Sequence, residues 1–298
     1  MNTVPMVHAR SLPTVLRDIL GLMKLRIGVM IMLTALVGMI AAPGPLPGFT
    51  VTAMLALSVL VASASAGMFN QYFEADEDQR MVRTRRRAFV TGALPRSPWW
   101  LLLMAAMLLL AFVAAWYAAN LLAATYVLLG AVFYGGVYTV WLKRRTPMNI
   151  VIGGLAGSFA VLAGGAAVAP ASAPVPLLLA LALFLWTPPH FWSLAIANRE
   201  EYANAGIPML PVVVGAERAA RAVLVGTVLL AIASLLPAAF GLGPVYVIGA
   251  LTGSVYFIHR AVQLVRRPER AQAMRSFFAS IVQLSLLLIA ACLDRAIA

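Results

Sequence analysis

The chain has 298 residues, of which 62% are hydrophobic and 11% charged, with a formal net charge of +12. Soluble domains average about 25% charged residues, so a soluble globular core is excluded. Apolar runs long enough for a bilayer of roughly 30 Å make this an all-α, polytopic membrane protein. In a soluble protein the positive charge would suggest nucleic acid; here the arginines lie in alternate loops, and no nucleic-acid partner is implied. The single Cys292 excludes an intramolecular disulfide and any multi-cysteine metal site.

Residues 1–20 carry Arg10, Arg17 and Asp18 and lack an uninterrupted apolar core. They read as an N-terminal cytoplasmic segment, not a cleavable signal peptide, and the first span is expected to serve as its own insertion signal. Nine spans are expected, at roughly 25–42, 50–72, 98–117, 120–141, 149–169, 175–197, 219–240, 243–263 and 273–293. They are expected to surround a central cavity within a single integral-membrane domain, 1–298. Pro- and Gly-rich turns separate them at 42–48, 170–176 and 241–244.

Loop charge sets the expected orientation. Arg10, Arg17, Lys24 and Arg26 precede the first span. The second loop carries Arg80, Arg83, Arg85, Arg86, Arg87 and Arg96, and the fourth Lys143, Arg144 and Arg145. The sixth carries Arg199, Arg218 and Arg221, the eighth Arg260, Arg266, Arg267, Arg270 and Arg275; the odd loops have none. The positive-inside rule then puts the N-terminus in the cytoplasm and the C-terminus outside.

Ten acidic residues occur, and six form two clusters: Glu74, Asp76, Glu77, Asp78, and then Glu200, Glu201. They follow the second and sixth spans, which suggests two related halves facing one cavity. Carboxylates beside a span are functional by default. In the first cluster Asn70, Glu74 and Asp78 stand at i, i+4 and i+8, one stripe of a helix. Such a stripe can hold Mg²⁺, which shares its coordination with substrate phosphates. Asp76 points to the opposite side of an ideal helix and joins the site only if the helix unwinds. Arg83 and Arg87 follow with guanidinium forks suited to phosphate.

Tyr138-Thr139-Val140-Trp141-Leu142-Lys143-Arg144 reads alone as a basic anchor with an aromatic belt; beside a diphosphate site, Lys143 becomes a phosphate contact. Gly153, Gly154, Gly157, Gly164 and Gly165 allow close helix approach. In Trp186-Thr187-Pro188-Pro189-His190-Phe191-Trp192, two prolines are expected to break the span and line a cavity. His190 is open to three readings: a haem ligand, a proton shuttle, or a partner for a freed carbonyl. Asn198-Arg199-Glu200-Glu201-Tyr202 offers a second carboxylate pair, which reads as a second Mg²⁺ site or an interfacial charge cluster.

The run Asn70, Glu74, Asp76, Asp78, Met81, Arg83, Thr84, Arg87 resembles the first Asp-rich motif of the UbiA-type intramembrane prenyltransferases. Tyr138-Thr139 with Leu142-Lys143-Arg144, the Trp186–Trp192 run and Gly206-Ile207-Pro208-Met209-Leu210-Pro211 narrow the likeness to the haem-farnesylating branch. The likeness covers roughly 20–290. Glu74 and Glu201 stand where Asp is usual, Ala88 where Pro is usual and Met148 where Gln is usual.

The resemblance implies a bacterial inner-membrane enzyme that takes farnesyl diphosphate and haem B as substrates and needs Mg²⁺. It implies farnesyl transfer to the haem 2-vinyl group, with a haem A synthase or terminal oxidase assembly as a downstream partner. Asn70, Glu74, Asp76, Asp78, Glu200 and Glu201 would hold metal; Arg83, Arg87 and Lys143 would take the diphosphate. Tyr138, Arg144, His190, Trp192, Arg199 and Tyr202 would contact substrate. The alternatives are a prenyltransferase for a quinone or chlorophyll precursor and, outside enzymes, a transporter with broken helices. The Asp-x-x-Asp-Gly-x-x-Ala-Arg pattern of CDP-alcohol phosphotransferases is absent.

Overall fold

The structure, a computed structural model, describes residues 11–297. Arg10 lies outside the described residues. The helices are α1 (Leu12–Leu22), α2 (Leu25–Ala41), α3 (Phe49–Phe73), α4 (Ala75–Asp78), α5 (Ala88–Thr91) and α6 (Trp99–Ala118). Then come α7 (Leu121–Val132), α8 (Asn149–Gly153), α9 (Leu155–Ala166), α10 (Pro174–Ala197) and α11 (Arg199–Asn204). The last are α12 (Leu210–Val214), α13 (Ala216–Leu235), α14 (Pro244–Arg266) and α15 (Arg270–Ile297). A π-helix, Phe133–Leu142, prolongs α7.

Among the described residues eight helices are long and apolar enough to cross a membrane, and the pair α1–α2, bent by 47°, makes up to a ninth. The expected nine spans are therefore present. Their faces are sorted by side-chain size, since lipid and core are both apolar. On α6, Leu102, Leu109 and Leu110 point outward while Met104, Ala111 and Ala115 are buried. Small residues let helix backbones approach where no hydrophobic force drives association.

That principle decides the centre of the bundle. α2 packs on α9; α3, α6 and α7 gather on one side, and α10, α13, α14 and α15 on the other. Gly38 lies against the backbone of Val161 and Gly164 against the carbonyl of Ala35, so closely that a Cβ at either would overlap main chain.

α10 corrects one expectation. It stays helical through Pro188 and Pro189. Each proline removes an N–H donor, yet neighbouring helices hold the segment. Gly226 of α13 leaves room for the Pro189 ring, 3.4 Å from where its Cβ would be. Thr187 donates to the Leu183 carbonyl at 2.9 Å and Ser193 to that of Pro189 at 2.7 Å. At the opposite end, the buried Asp294 accepts from the backbone N–H groups of Gly243 at 2.5 Å and Tyr246 at 3.2 Å. It thereby caps α14 from a distant helix.

Candidate active site

α3 ends at Phe73, but its hydrogen-bond ladder continues. Glu74 N–H donates to Asn70 at 2.9 Å and Asp78 N–H to Glu74 at 2.8 Å. The i, i+4, i+8 stripe therefore survives into α4. Asn70, Glu74 and Asp78 are all buried, at 2%, 3% and 3% exposure, and buried charge demands partners. Lys143 donates to Glu74 Oε2 at 2.5 Å, and Arg87 forms an ion pair with Asp78.

The amide of Asn70 is oriented by a relay. The Thr139 hydroxyl donates to the Tyr134 carbonyl at 2.9 Å and accepts from Asn70 Nδ2 at 2.9 Å. That leaves Asn70 Oδ1 to accept from Lys24 Nζ at 2.5 Å, and Lys24 also reaches the Tyr134 hydroxyl at 3.3 Å. Lys24 is the only non-glycine residue at positive φ among the described residues, at 50°. It sits in the joint between α1 and α2. A left-handed lysine is unusual, and such conformations gather at functional sites.

The π-helix places the remaining groups. Its i→i+5 bonding brings Tyr134, Tyr138, Thr139 and Lys143 towards α3, and the two tyrosine rings stack at 5.7 Å. Gly135 lies where a Cβ would be 3.2 Å from the Phe69 ring, and Gly153 where one would be 2.8 Å from the Tyr138 ring. Lys24, Tyr134 and Tyr138 form the polar end of an apolar cavity of about 220 Å³. Ile31, Val59 and Val127 line its depth. From α10, Thr187 and Phe191 face it.

The other expected residues divide. Tyr202 is buried and packs with Tyr138, Met81 and Ile150. Arg83 is exposed near the Asp78 end. Asp76 is not brought to the stripe: its side chain is 79% exposed and paired with Arg96 at 3.0 Å. The helix does not unwind there, so Asp76 keeps the opposite face. Arg144 turns away as well, pairing with Glu77 at 2.8 Å over the Phe73 ring. Arg199 and Glu200 are exposed. Glu201 is half-buried, with an Oε2 that has no hydrogen-bond partner.

His190 and Trp192 are absent from the cavity lining, because the register of α10 gives that face to Thr187 and Phe191. The His190 ring is stacked between Trp186 at 4.1 Å and Phe277 at 4.5 Å. Its Nδ1 meets the Ser280 hydroxyl at 2.6 Å. That hydroxyl donates to the Phe277 carbonyl, so the hydrogen-bond network assigns the proton to Nδ1. Trp192 packs into the cluster of Ala219, Val223 and Ala261.

The charge balance bears on a metal. Lys24, Lys143 and Arg87 face two carboxylates, and Glu74 Oε1 is buried without a hydrogen-bond partner. Among the described residues no group of three or more His, Cys, Asp or Glu is placed to hold a metal ion. Two carboxylates and an amide oxygen are nevertheless the kind of partial set that Mg²⁺ uses beside substrate phosphates. The residues fit the ion as a shared site, not as a complete protein cage.

Comparison with known proteins agrees with the fold and the motifs. Residues 31–286 match the UbiA prenyltransferase family. Protoheme IX farnesyltransferase 2 of Paramagnetospirillum magneticum is 52% identical over 279 residues, covering 94% of this chain and 97% of that one. The solved structure of a digeranylgeranylglyceryl phosphate synthase has a TM-score of 0.79 at 19% identity, covering 95% of this chain and 99% of that one. A UbiA homologue from Archaeoglobus fulgidus, solved with DMAPP and Mg²⁺, has a TM-score of 0.65 at 17% identity, covering 91% and 99%. At such identities these two likenesses speak for the fold alone. With the family match spanning most of the chain and a relative sharing half its residues, the chain belongs to the UbiA prenyltransferase family, within its protoheme IX farnesyltransferase group.

Proposed function

We propose that this protein transfers the farnesyl group of farnesyl diphosphate to the 2-vinyl group of haem B, giving haem O. One observation carries the reading of the site. A partnerless buried carboxylate oxygen, Glu74 Oε1, belongs to the carboxylate paired with Lys143, one helical turn from Asn70, whose amide holds the Lys24 ammonium that lines an apolar cavity. The carboxylates alone would repel a diphosphate, and three cations only slightly outweigh them. The relative named protoheme IX farnesyltransferase 2 supports the choice of substrates, and the A. fulgidus homologue bound to DMAPP and Mg²⁺ supports a metal-assisted diphosphate site.

Asn70, Glu74 and Asp78 would hold Mg²⁺, which when bound neutralises diphosphate charge and assists its departure. The chain's own residues do the rest. Lys24, Lys143 and Arg87 donate to the diphosphate oxygens, with Arg83 at the rim, and stabilise the charge that grows as the C–O bond breaks. The farnesyl tail occupies the cavity between Ile31, Val59 and Val127, which excludes water from the allylic cation. Tyr134 and Tyr138 present ring faces to that cation. The vinyl group forms the new C–C bond, the resulting haem-side cation takes hydroxide from water, and a proton and diphosphate leave.

The haem vinyl is assigned to the Thr187–Phe191 face of α10, with Tyr202 behind Tyr138. The reaction site faces the cytoplasm of a bacterial inner membrane, N-terminus in and C-terminus out, on the strength of the alternating arginine loops. The test is incubation of purified protein with haem B, farnesyl diphosphate and Mg²⁺, with mass analysis of the haem. The expected product is haem carrying a hydroxyethylfarnesyl group, abolished by chelator and restored by Mg²⁺. Unchanged haem, or full transfer in chelator, sinks the reading.

A further inference from the structure

Behind the carboxylate stripe lies a second, polar pocket of about 450 Å³. Its charged lining is Arg17 and Asp18 of α1 and Arg83, Arg86 and Arg87 of the loop after α4, with Gln71 at the back. Gln71 Nε2 donates to the carbonyls of Gly21 and Leu22, both at 3.0 Å, and so pins the end of α1 to α3. Arg87 is already paired with Asp78, which leaves three further arginines, Arg17, Arg83 and Arg86, on this pocket. Among the described residues Arg17, Arg83 and Arg86 form no ion pair. Clustering guanidinium groups in one cavity is electrostatically unfavourable without an anion, and a phosphate oxygen set matches their fork.

The helix carrying Arg17 indicates where that phosphate comes from. α1 has two apolar stripes. Val15, Ile19 and Leu22 pack into the protein beside Phe89 and Met104. Leu12, Leu16 and Leu20, at i, i+4 and i+8, are 85%, 58% and 42% exposed. Among the described residues no element covers them. α1 bends 47° from the following span. A short amphipathic helix, bent from a span and carrying exposed leucines next to arginine, is the form that lies in a membrane interface. Arginines at that level attract anionic lipid.

We propose that this pocket binds the phosphate of an anionic phospholipid from the leaflet on the arginine-rich side, with its acyl chains along Leu12, Leu16 and Leu20. The proposal concerns a site beside the catalytic stripe, sharing Arg83 and Arg87 with the diphosphate end and adding Arg17 and Arg86, and does not depend on the acceptor of the farnesyl group. It has a consequence for that stripe, since α1 ends at the joint that carries Lys24, and Arg87 borders both spaces. A lipid in the pocket holds α1, and through it the Lys24 ammonium, in place.

The test uses the full chain in vesicles of phosphatidylcholine, with or without phosphatidylglycerol. Lipid retained after detergent extraction is read by native mass spectrometry, and the unfolding midpoint is read in each vesicle. For the unaltered protein, phosphatidylglycerol should be retained preferentially and should raise the midpoint. The double variant Arg17→Gln, Arg86→Gln should lose about tenfold in phosphatidylglycerol retention and most of the midpoint gain. Neither residue belongs to the catalytic set, so farnesyl transfer in neutral vesicles should be unchanged. If the double variant does not fold, Arg86→Gln in the exposed loop gives the same comparison with a smaller change. Equal retention by variant and unaltered protein overturns the proposal. So does equal protection by inorganic phosphate in neutral vesicles, which would make the pocket a soluble-anion site.

Discussion

The two acidic clusters look alike in sequence and are treated differently by the fold. At the end of α3, Glu74 and Asp78 are buried and met by cations from three separate segments, around Lys24, Arg87 and Lys143. At the end of α10, Glu200 is exposed and Glu201 only half-buried. Position at the mouth of a bundle does not make a carboxylate reactive. What distinguishes the first cluster is burial together with cations that a phosphorylated substrate can recruit when it arrives. The second has nearby charge and one buried oxygen, Glu201 Oε2, but no cation is paired with it among the described residues.

The largest effects should come from the buried stripe. Asp78→Asn keeps volume while removing the carboxylate paired with Arg87, and Glu74→Gln does the same for Lys143. Either should lower farnesyl transfer by at least about a hundredfold, the scale for losing one preorganised charge. Steady-state kinetics beside Glu200→Gln give the contrast, because that exposed change should stay within about twofold. Equal losses at the two clusters would erase the distinction.

Lys24→Met comes next. It removes the donor to Asn70 and, on the proposed function, a donor to incoming diphosphate, so affinity for farnesyl diphosphate should fall by roughly tenfold to a hundredfold. Binding measured without haem isolates that step. A smaller change would assign the diphosphate to Lys143 and Arg87 alone.

His190→Ala sharpens the comparison from within α10, the helix that precedes the second cluster. It removes a ring stacked between Trp186 and Phe277 and a bond to Ser280, so stability should fall by about 2–4 kcal/mol, read as a lower unfolding midpoint. Haem affinity measured below that midpoint should change little. A large loss in the folded variant would return His190 to the haem. The smallest effect is expected at Asp294→Asn. It weakens the cap on α14, lowering stability by about 1 kcal/mol without altering transfer.

The spans were legible because a bilayer requires long apolar runs and little else competes with that signal. The Asn70–Asp78 stripe was legible because α geometry persists through it. Reading α10 by chemically conspicuous side chains selected His190 and Trp192, whereas helix register gives the cavity Thr187 and Phe191. In sequence Lys24 reads only as loop charge; its mark is a backbone angle, which no single-residue signal announces, though a lone lysine between Met23 and Leu25 at the start of a span is visible. Tyr134 was missed for another reason. It stands five residues before Thr139, which stands four before Lys143, a wider repeat than the 3.6 of an α-helix or the 2 of a strand.

That wider winding between Phe133 and Leu142 makes chain length there a determinant of activity in its own right. A π segment holds one more residue than the α turn it replaces. Deleting a single residue, Gly136 for example, would let the helix close to ordinary pitch without disturbing hydropathy, charge or span count. Everything downstream would then rotate by roughly 100°, the angle one residue subtends, and Lys143 would leave Glu74. Across relatives of this chain, insertions and deletions should therefore be far rarer within these ten residues than in the turns on either side.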